Sequence, residues 1–280
     1  MFAGTLMVAL RESLEALLVC GILLGIVTKL GHREARRPII VGGLLGALAS
    51  VVIGVGVYLA VGKVPKANQA WFEAIAGLVA VAVLTYMVVW MYKHTMKTVG
   101  ALHEKAKLAV LSGRSSLLFW LAFVMVVREG IETVLFIAPR MTTANPWLIV
   151  SALAAGLAIA FVLAWALFTG TIRLSLEQFF TVTGVLLIFF GGGMIVYSLH
   201  ELHEAWHAAT TGVLWNAPIS QGSIPGRLLQ AVFGYREKPR LLEVVGYVLY
   251  VGTMLAWYLR PYIQRRRAAK LEQKVAGSTP

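Results

Sequence analysis

The chain contains no aspartate, and all 13 of its acidic residues are glutamates. That absence counts against enzyme mechanisms built on an aspartate base, nucleophile or magnesium ligand. Cysteine is reduced to one residue, Cys20, inside an apolar run, which excludes an intramolecular disulfide framework and a cysteine-built zinc or iron–sulfur site. Charge is scarce: 14% of residues are charged and 59% hydrophobic, against about 25% and about 45–50% in soluble domains. A soluble globular fold is excluded on that balance. Disorder is excluded too, because there are only nine prolines and no polar low-complexity tract before the last dozen residues.

What the chain has instead is long apolar runs. A bilayer-spanning helix needs about 20 mostly apolar residues, and seven segments meet that length, at 2–30, 38–62, 71–92, 116–138, 147–169, 178–200 and 241–260. The expected fold is therefore an all-α integral membrane protein with seven transmembrane helices. No basic region precedes the first run, so no cleaved signal peptide is expected. The net charge of +12 does not mark a nucleic-acid binder, because the basic residues cluster in short segments between the apolar runs. Sixteen Lys and Arg fall in one set of alternating loops and seven in the other, with Arg11 and Arg128 inside spans. The positive-inside rule then puts the N-terminus outside and the C-terminus in the cytoplasm, as for a multi-pass protein of the plasma (inner) membrane.

Arg11 and Arg128 open two similar phrases, R-E-S-L-E at 11–15 and R-E-G-I-E at 128–132. The stretch from Trp71 also lies on that from Gln178 without gaps, matching Gly77 with Gly184 and Met87 with Met194. The second and fifth spans match only in composition. Three spans per unit is an odd number, so the units must cross the membrane in opposite senses, the inverted-repeat plan of many secondary transporters. The expected organisation is a first three-helix repeat (1–112), a second (113–207), an extracytoplasmic loop (208–240), a seventh helix (241–262) and a basic cytoplasmic tail (263–280). The segment from Lys93 to Ser115 reads as a cytoplasmic continuation of the third helix.

Both motifs lie about 14–18 Å into their helices, near the bilayer midplane. Six charged groups left unpaired there would cost roughly 15–20 kcal/mol, so they must face one another or a hydrated cavity. In R-E-x-x-E the glutamates are three apart and the arginine is four from the second, all on one helix face. Glu12, Glu15, Glu129 and Glu132 therefore converge if the two helices pack together, and four carboxylates against two guanidiniums leave a formal −2. Hard oxygen ligands suit a hard, multiply charged cation. The alternative is that each arginine only neutralises its own glutamates and fixes helix packing.

These paired motifs resemble those of the oxidase-dependent iron permeases, the family of the high-affinity iron permeases of yeasts and the EfeU-type permeases of bacteria. The likeness covers roughly 1–260. It implies a permease rather than an enzyme, importing iron, typically ferric iron delivered by a partner ferroxidase or periplasmic iron-delivery protein. By that resemblance Glu12, Glu15, Glu129 and Glu132 are metal ligands with Arg11 and Arg128 as partners, and iron is a transported substrate with no tightly bound cofactor. Relatives with similar motifs are associated with lead, which leaves another cation, or proton- or sodium-coupled antiport, as alternatives.

A second cluster, His200, His203, Glu204 and His207, shares one face at the end of the sixth span and reads either as a polar interfacial helix end or as an outer metal-collecting site. His203, Glu204 and His207 also spell H-E-x-x-H, the zinc-protease signature, so an intramembrane zinc metalloprotease is the rival from another class. It lacks an aspartate as third ligand and leaves both R-E-x-x-E motifs idle. Glu73 and Glu243 are expected to snorkel to the interface, and Gly191, Gly192 and Gly193 to form a packing surface. No haem-binding pair is present, since His94 and His200 stand isolated, so redox chemistry belongs to a partner.

Overall fold

In the computed structural model the chain is helical, with no strand among the described residues, which are 2–112, 114–170, 176–206 and 214–276. The helices are α1 (Phe2–Lys29), α2 (Arg36–Val61), α3 (Gln69–Leu111), α4 (Ser115–Ile137), α5 (Pro146–Phe168), α6 (Leu176–Ala205), α7 (Ile224–Phe233) and α8 (Leu241–Ala276). Helices satisfy every backbone polar group internally, the requirement a bilayer imposes. Five segments are apolar and long enough to cross one by composition alone: Arg33–Val61, Lys66–Trp90, Pro146–Phe168, Thr181–Ala205 and Leu241–Arg260. The long helices outside that set, α1 with 28 residues and α4 with 23, are those that carry the two charged motifs.

Local chemistry sets several helix ends. The Asn145 side chain accepts the Trp147 N–H at 3.0 Å and Pro146 begins the first turn, so α5 starts there. Ser223 caps α7 through the Gly226 N–H at 3.2 Å, and Gly234, at φ 68°, closes it in the left-handed conformation. The third helix continues through 43 residues, about 65 Å, well past its apolar part. Helix α8 likewise runs on past position 262 to Ala276.

Small residues decide which helices meet. Helix α2 lies along α4, α5 along α1, α3 along α6, and α8 backs α6. On α2 the small residues Gly42, Gly46, Ser50 and Gly54 recur every four positions. A Cβ on Gly42 would stand 2.4 Å from the Phe119 carbonyl oxygen, one on Gly46 2.9 Å from that of Phe123, and one on Gly54 3.2 Å from the Val134 side chain. Helix α5 repeats the device with Ala152, Gly156, Ala160 and Ala164, all buried, and a Cβ on Gly156 would stand 2.7 Å from the Cβ of Ala9. Lipid tails are as apolar as leucine, so close backbone contact rather than hydrophobic burial drives such pairing. The outward faces of α2 and α5 are apolar and exposed, with Leu44, Leu48, Val51, Trp147, Phe161 and Trp165 among them.

One buried cluster joins Val8 and Phe136 to Leu84, Ile188, Met194 and Tyr258, filling the space between α1, α4, α3, α6 and α8. A second joins Leu23 and Val27 to Ile39, Ala109 and Leu118, tying the end of α3 to α1, α2 and α4. The three consecutive glycines of α6 stay helical and serve packing: Gly191 faces Tyr250, Gly192 faces Tyr247 and Val251, and Gly193 faces the backbone of Gly234.

Candidate metal centre

Helices α1 and α4 pack against each other and bring their motifs together. Ligand oxygens of Glu12, Glu15 and Glu129 lie within 4.8 Å of one another, and all three residues are buried. Among the described residues this is the only group of three or more such side chains close enough to hold one ion. Glu132, the fourth predicted ligand, lies outside that trio and turns Oε1 to Arg128.

Each arginine serves its own motif. Arg11 Nη1 donates to Glu12 Oε1 at 2.6 Å, and its Nη2 lies 2.5 Å from Glu15 Oε1. Arg128 Nε donates to Glu132 Oε1 at 2.9 Å and lies 3.5 Å from Glu129 Oε1. The planar guanidinium suits this, since it offers several donors in a fixed fork. Yet Glu12 Oε2, Glu129 Oε2 and Glu132 Oε2 remain buried without a hydrogen-bond partner among the described residues. Buried carboxylate oxygens are costly unless paired. The arginines therefore leave part of the acceptor capacity of these glutamates unmet by the described residues.

A third wall of the site escaped the sequence reading. Helix α3 presents Met87 and Trp90, one turn apart, to the two arginines. Met87 Sδ accepts from Arg11 Nη1 at 3.4 Å, and the Arg128 guanidinium lies 5.5 Å from the centre of the Trp90 ring. The signal was the gapless match of Trp71 onward with Gln178 onward, which lays Met87 on Met194 and Trp90 on Tyr197. Met194 and Tyr197 line a cleft with Thr5, Val8, Phe136 and Arg140. Val8 and Phe136 are each one helical turn from a motif glutamate, Glu12 and Glu132, so the cleft adjoins the carboxylates.

Glu73 does not snorkel. It is 2% exposed and accepts from the hydroxyls of Thr142 and Tyr197, with the Arg140 guanidinium over the Tyr197 ring at 4.8 Å. Burial lowers the affinity of the Arg140 guanidinium for its proton. Glu243 is also 2% exposed, for a related reason: its Oε1 lies 3.0 Å from His200 Nδ1 and its Oε2 accepts the Arg240 N–H at 3.2 Å. Partners on neighbouring elements hold both carboxylates below the surface that snorkelling would reach.

Of the outer cluster, His200 is tied into this network. Its Nε2 lies 3.0 Å from Arg236 Nη2 and 3.1 Å from Glu204 Oε1. His203 is partly buried, Glu204 is exposed, and His207 lies outside the described residues.

The model of the Iron permease FTR1 family matches residues 1–269. The ferrous iron permease EfeU of Escherichia coli O6:H1 is 31% identical over 261 residues, covering 91% of this chain and 94% of that protein. The ferrous iron permease EfeU of Yersinia pestis is 29% identical over 262 residues, covering 91% and 93%. An uncharacterized protein of Archaeoglobus fulgidus is 30% identical over 270 residues, covering 92% and 95%. No solved structure matches. With the family model spanning nearly the whole chain and the paired R-E-x-x-E motifs meeting in its interior, the chain belongs to the iron permease FTR1 family.

Proposed function

We propose that the chain imports iron through a central site built by Glu12, Glu15, Glu129 and Glu132, with Arg11 and Arg128 balancing their charge. The observation that carries this reading is the approach of the Glu12, Glu15 and Glu129 oxygens from two helices, with buried oxygens left without a partner among the described residues. Two guanidiniums against four carboxylates leave a formal −2, the charge that a divalent ion cancels. The sequence resemblance implied ferric iron; the relatives named ferrous iron permeases, together with that charge balance, make ferrous iron the form proposed here.

In this reading the protein crosses the plasma (inner) membrane seven times as two inverted three-helix units, 1–112 and 113–207, plus α8. Its N-terminus lies outside and its C-terminus in the cytoplasm. Support comes from the exchange of partners, α1 with α5 and α4 with α2, and from α3 facing α6. Iron is gathered near His203, Glu204 and His207, and an iron-delivery protein outside supplies it in the ferrous form. A permease is a transporter and not an enzyme, and the zinc-protease reading of His203, Glu204 and His207 is not favoured.

Radioactive iron uptake into proteoliposomes of the pure protein tests the site. Glutamine keeps the size of glutamate and removes its charge, so Glu12→Gln, Glu15→Gln, Glu129→Gln and Glu132→Gln should each lower uptake per molecule of membrane protein. Unchanged normalised uptake in all four would overturn the assignment. The same vesicles offered Fe(II), Fe(III), Pb(II) and Zn(II) in turn identify the cargo.

A further inference from the structure

We propose that Met87 is a metal ligand of the central site, and that its thioether makes the site select a divalent ion of intermediate softness over hard cations. The inference rests on the reading that Glu12, Glu15 and Glu129 hold the transported ion.

Arg11 Nη1 stands between two acceptors, 2.6 Å from Glu12 Oε1 and 3.4 Å from Met87 Sδ. A cationic nitrogen held by a carboxylate oxygen and a thioether sulfur occupies the place that a metal ion with those two donors would take. Glu15 Oε1, 2.5 Å from Nη2 of the same guanidinium, borders that place from the next turn. Withdrawal of the Arg11 guanidinium as a unit would open it and free Glu15 Oε1 as well. Glu12 is 1% exposed and Met87 4%, so water reaches neither donor freely, and Glu12 Oε2 has no hydrogen-bond partner among the described residues.

Packing alone does not call for sulfur here. Leucine fills a similar volume at small cost in a core, yet the side chain beside the buried guanidinium is a thioether, which carries a polarisable lone pair that leucine lacks. A neutral thioether adds nothing to the binding of Ca(II), Mn(II) or a trivalent ion, which take hard oxygen donors. It does strengthen the hold on ions that accept sulfur. One thioether among carboxylates therefore shifts a site of net −2 toward Fe(II) and Cd(II).

The test uses the full-length protein in lipid nanodiscs, with four probes: Fe(II) under reducing, oxygen-free conditions, Cd(II), Mn(II) and Ga(III) as a redox-inert trivalent ion. Met87→Leu should weaken Fe(II) and Cd(II) binding by about tenfold, the lower end of what disturbed metal surroundings cost, and leave Mn(II) and Ga(III) unchanged. Met254→Leu, at a buried methionine of α8 away from the cleft that adjoins the carboxylates, should change none of the four. X-ray absorption of the Cd(II)-loaded protein should show a sulfur neighbour that Met87→Leu removes. An oxygen-only shell in the unsubstituted protein, or an equal loss for all four ions, overturns the role of Met87 whether or not the variant folds well. Glu129→Gln in the same assay separates the two readings: if it binds every ion as the unsubstituted protein does, the carboxylate site itself is wrong.

Discussion

Ser50 of α2 fills the space that any side chain on Gly130 of α4 would need: a Cβ at Gly130 would lie 1.9 Å from Ser50 Oγ. Gly130 is the middle residue of the second motif. The contact therefore fixes how far α4 can roll, and with it where Glu129 and Glu132 point. Ser50 Oγ also donates to the Gly46 carbonyl at 2.9 Å, which holds the hydroxyl in that position.

Gly130→Ala should accordingly destabilise the protein by about 1–3 kcal/mol, the usual cost of overpacking. Thermal unfolding in detergent would register it as a lower Tm. Adding Ser50→Gly should return most of the loss, because the two substitutions share one space and are not additive. A double variant no better than Gly130→Ala alone would separate the motif's glycine from its α2 neighbour.

The two motif arginines should respond differently to lysine. Arg11 is 3% exposed and reaches Glu12 and Glu15 with separate nitrogens, a fork that one ammonium does not reproduce. The Arg128 side chain is 36% exposed and makes its shortest contact with Glu132 through Nε. Arg11→Lys should cost about 2 kcal/mol, on the scale of one charged hydrogen bond, and Arg128→Lys clearly less. Unfolding of the two variants side by side gives the comparison, and equal losses would contradict it.

Much of this was legible in the sequence because bilayer physics writes in long runs. The apolar segments, the extension of the third helix to Leu111 and the meeting of the two motifs all follow from hydropathy, spacing and the cost of buried charge. The partner choice of α2 and α5 was written there too, in Gly42, Gly46, Ser50 and Gly54 and in Ala152, Gly156, Ala160 and Ala164. Those stripes carry no charge or motif, so composition alone hid them. Glu73 and Glu243 were misread for another reason. Position near a span end argues for snorkelling, while the hydroxyls of Thr142 and Tyr197 and the ring of His200 come from elements distant in sequence. Met87 stands out in the sequence only through its match with Met194, and Trp90 not at all, because their contacts with Arg11 and Arg128 come from the packing of α3.

Topology is open to a direct measurement. In a Cys20→Ser background, a single cysteine placed at the exposed Ser112 should react with an impermeant thiol reagent only from the cytoplasm. One at the exposed Ser220 should react only from outside. The basis is the split of sixteen basic residues against seven between the two sets of loops. Reaction of both positions from the same side would remove the inverted arrangement of the two units.

His200 should prove a structural residue even though it stands in the outer cluster. Both ring nitrogens are engaged, Nδ1 by Glu243 and Nε2 by Arg236 and Glu204. Removing the ring takes a partner from Glu243, a carboxylate that is 2% exposed. His200→Ala should therefore lower stability by about 1–3 kcal/mol, the cost of an unsatisfied buried polar group, while uptake per folded molecule keeps its dependence on iron concentration. His203→Ala combined with Glu204→Gln should do the reverse: little change in Tm, and weaker uptake only when iron is dilute, because a collecting site raises local supply without forming the passage. Measuring Tm and normalised uptake across iron concentrations on both variants separates the roles. Weaker uptake by His200→Ala at low iron with an unchanged Tm would move His200 from the ion network into the collecting site.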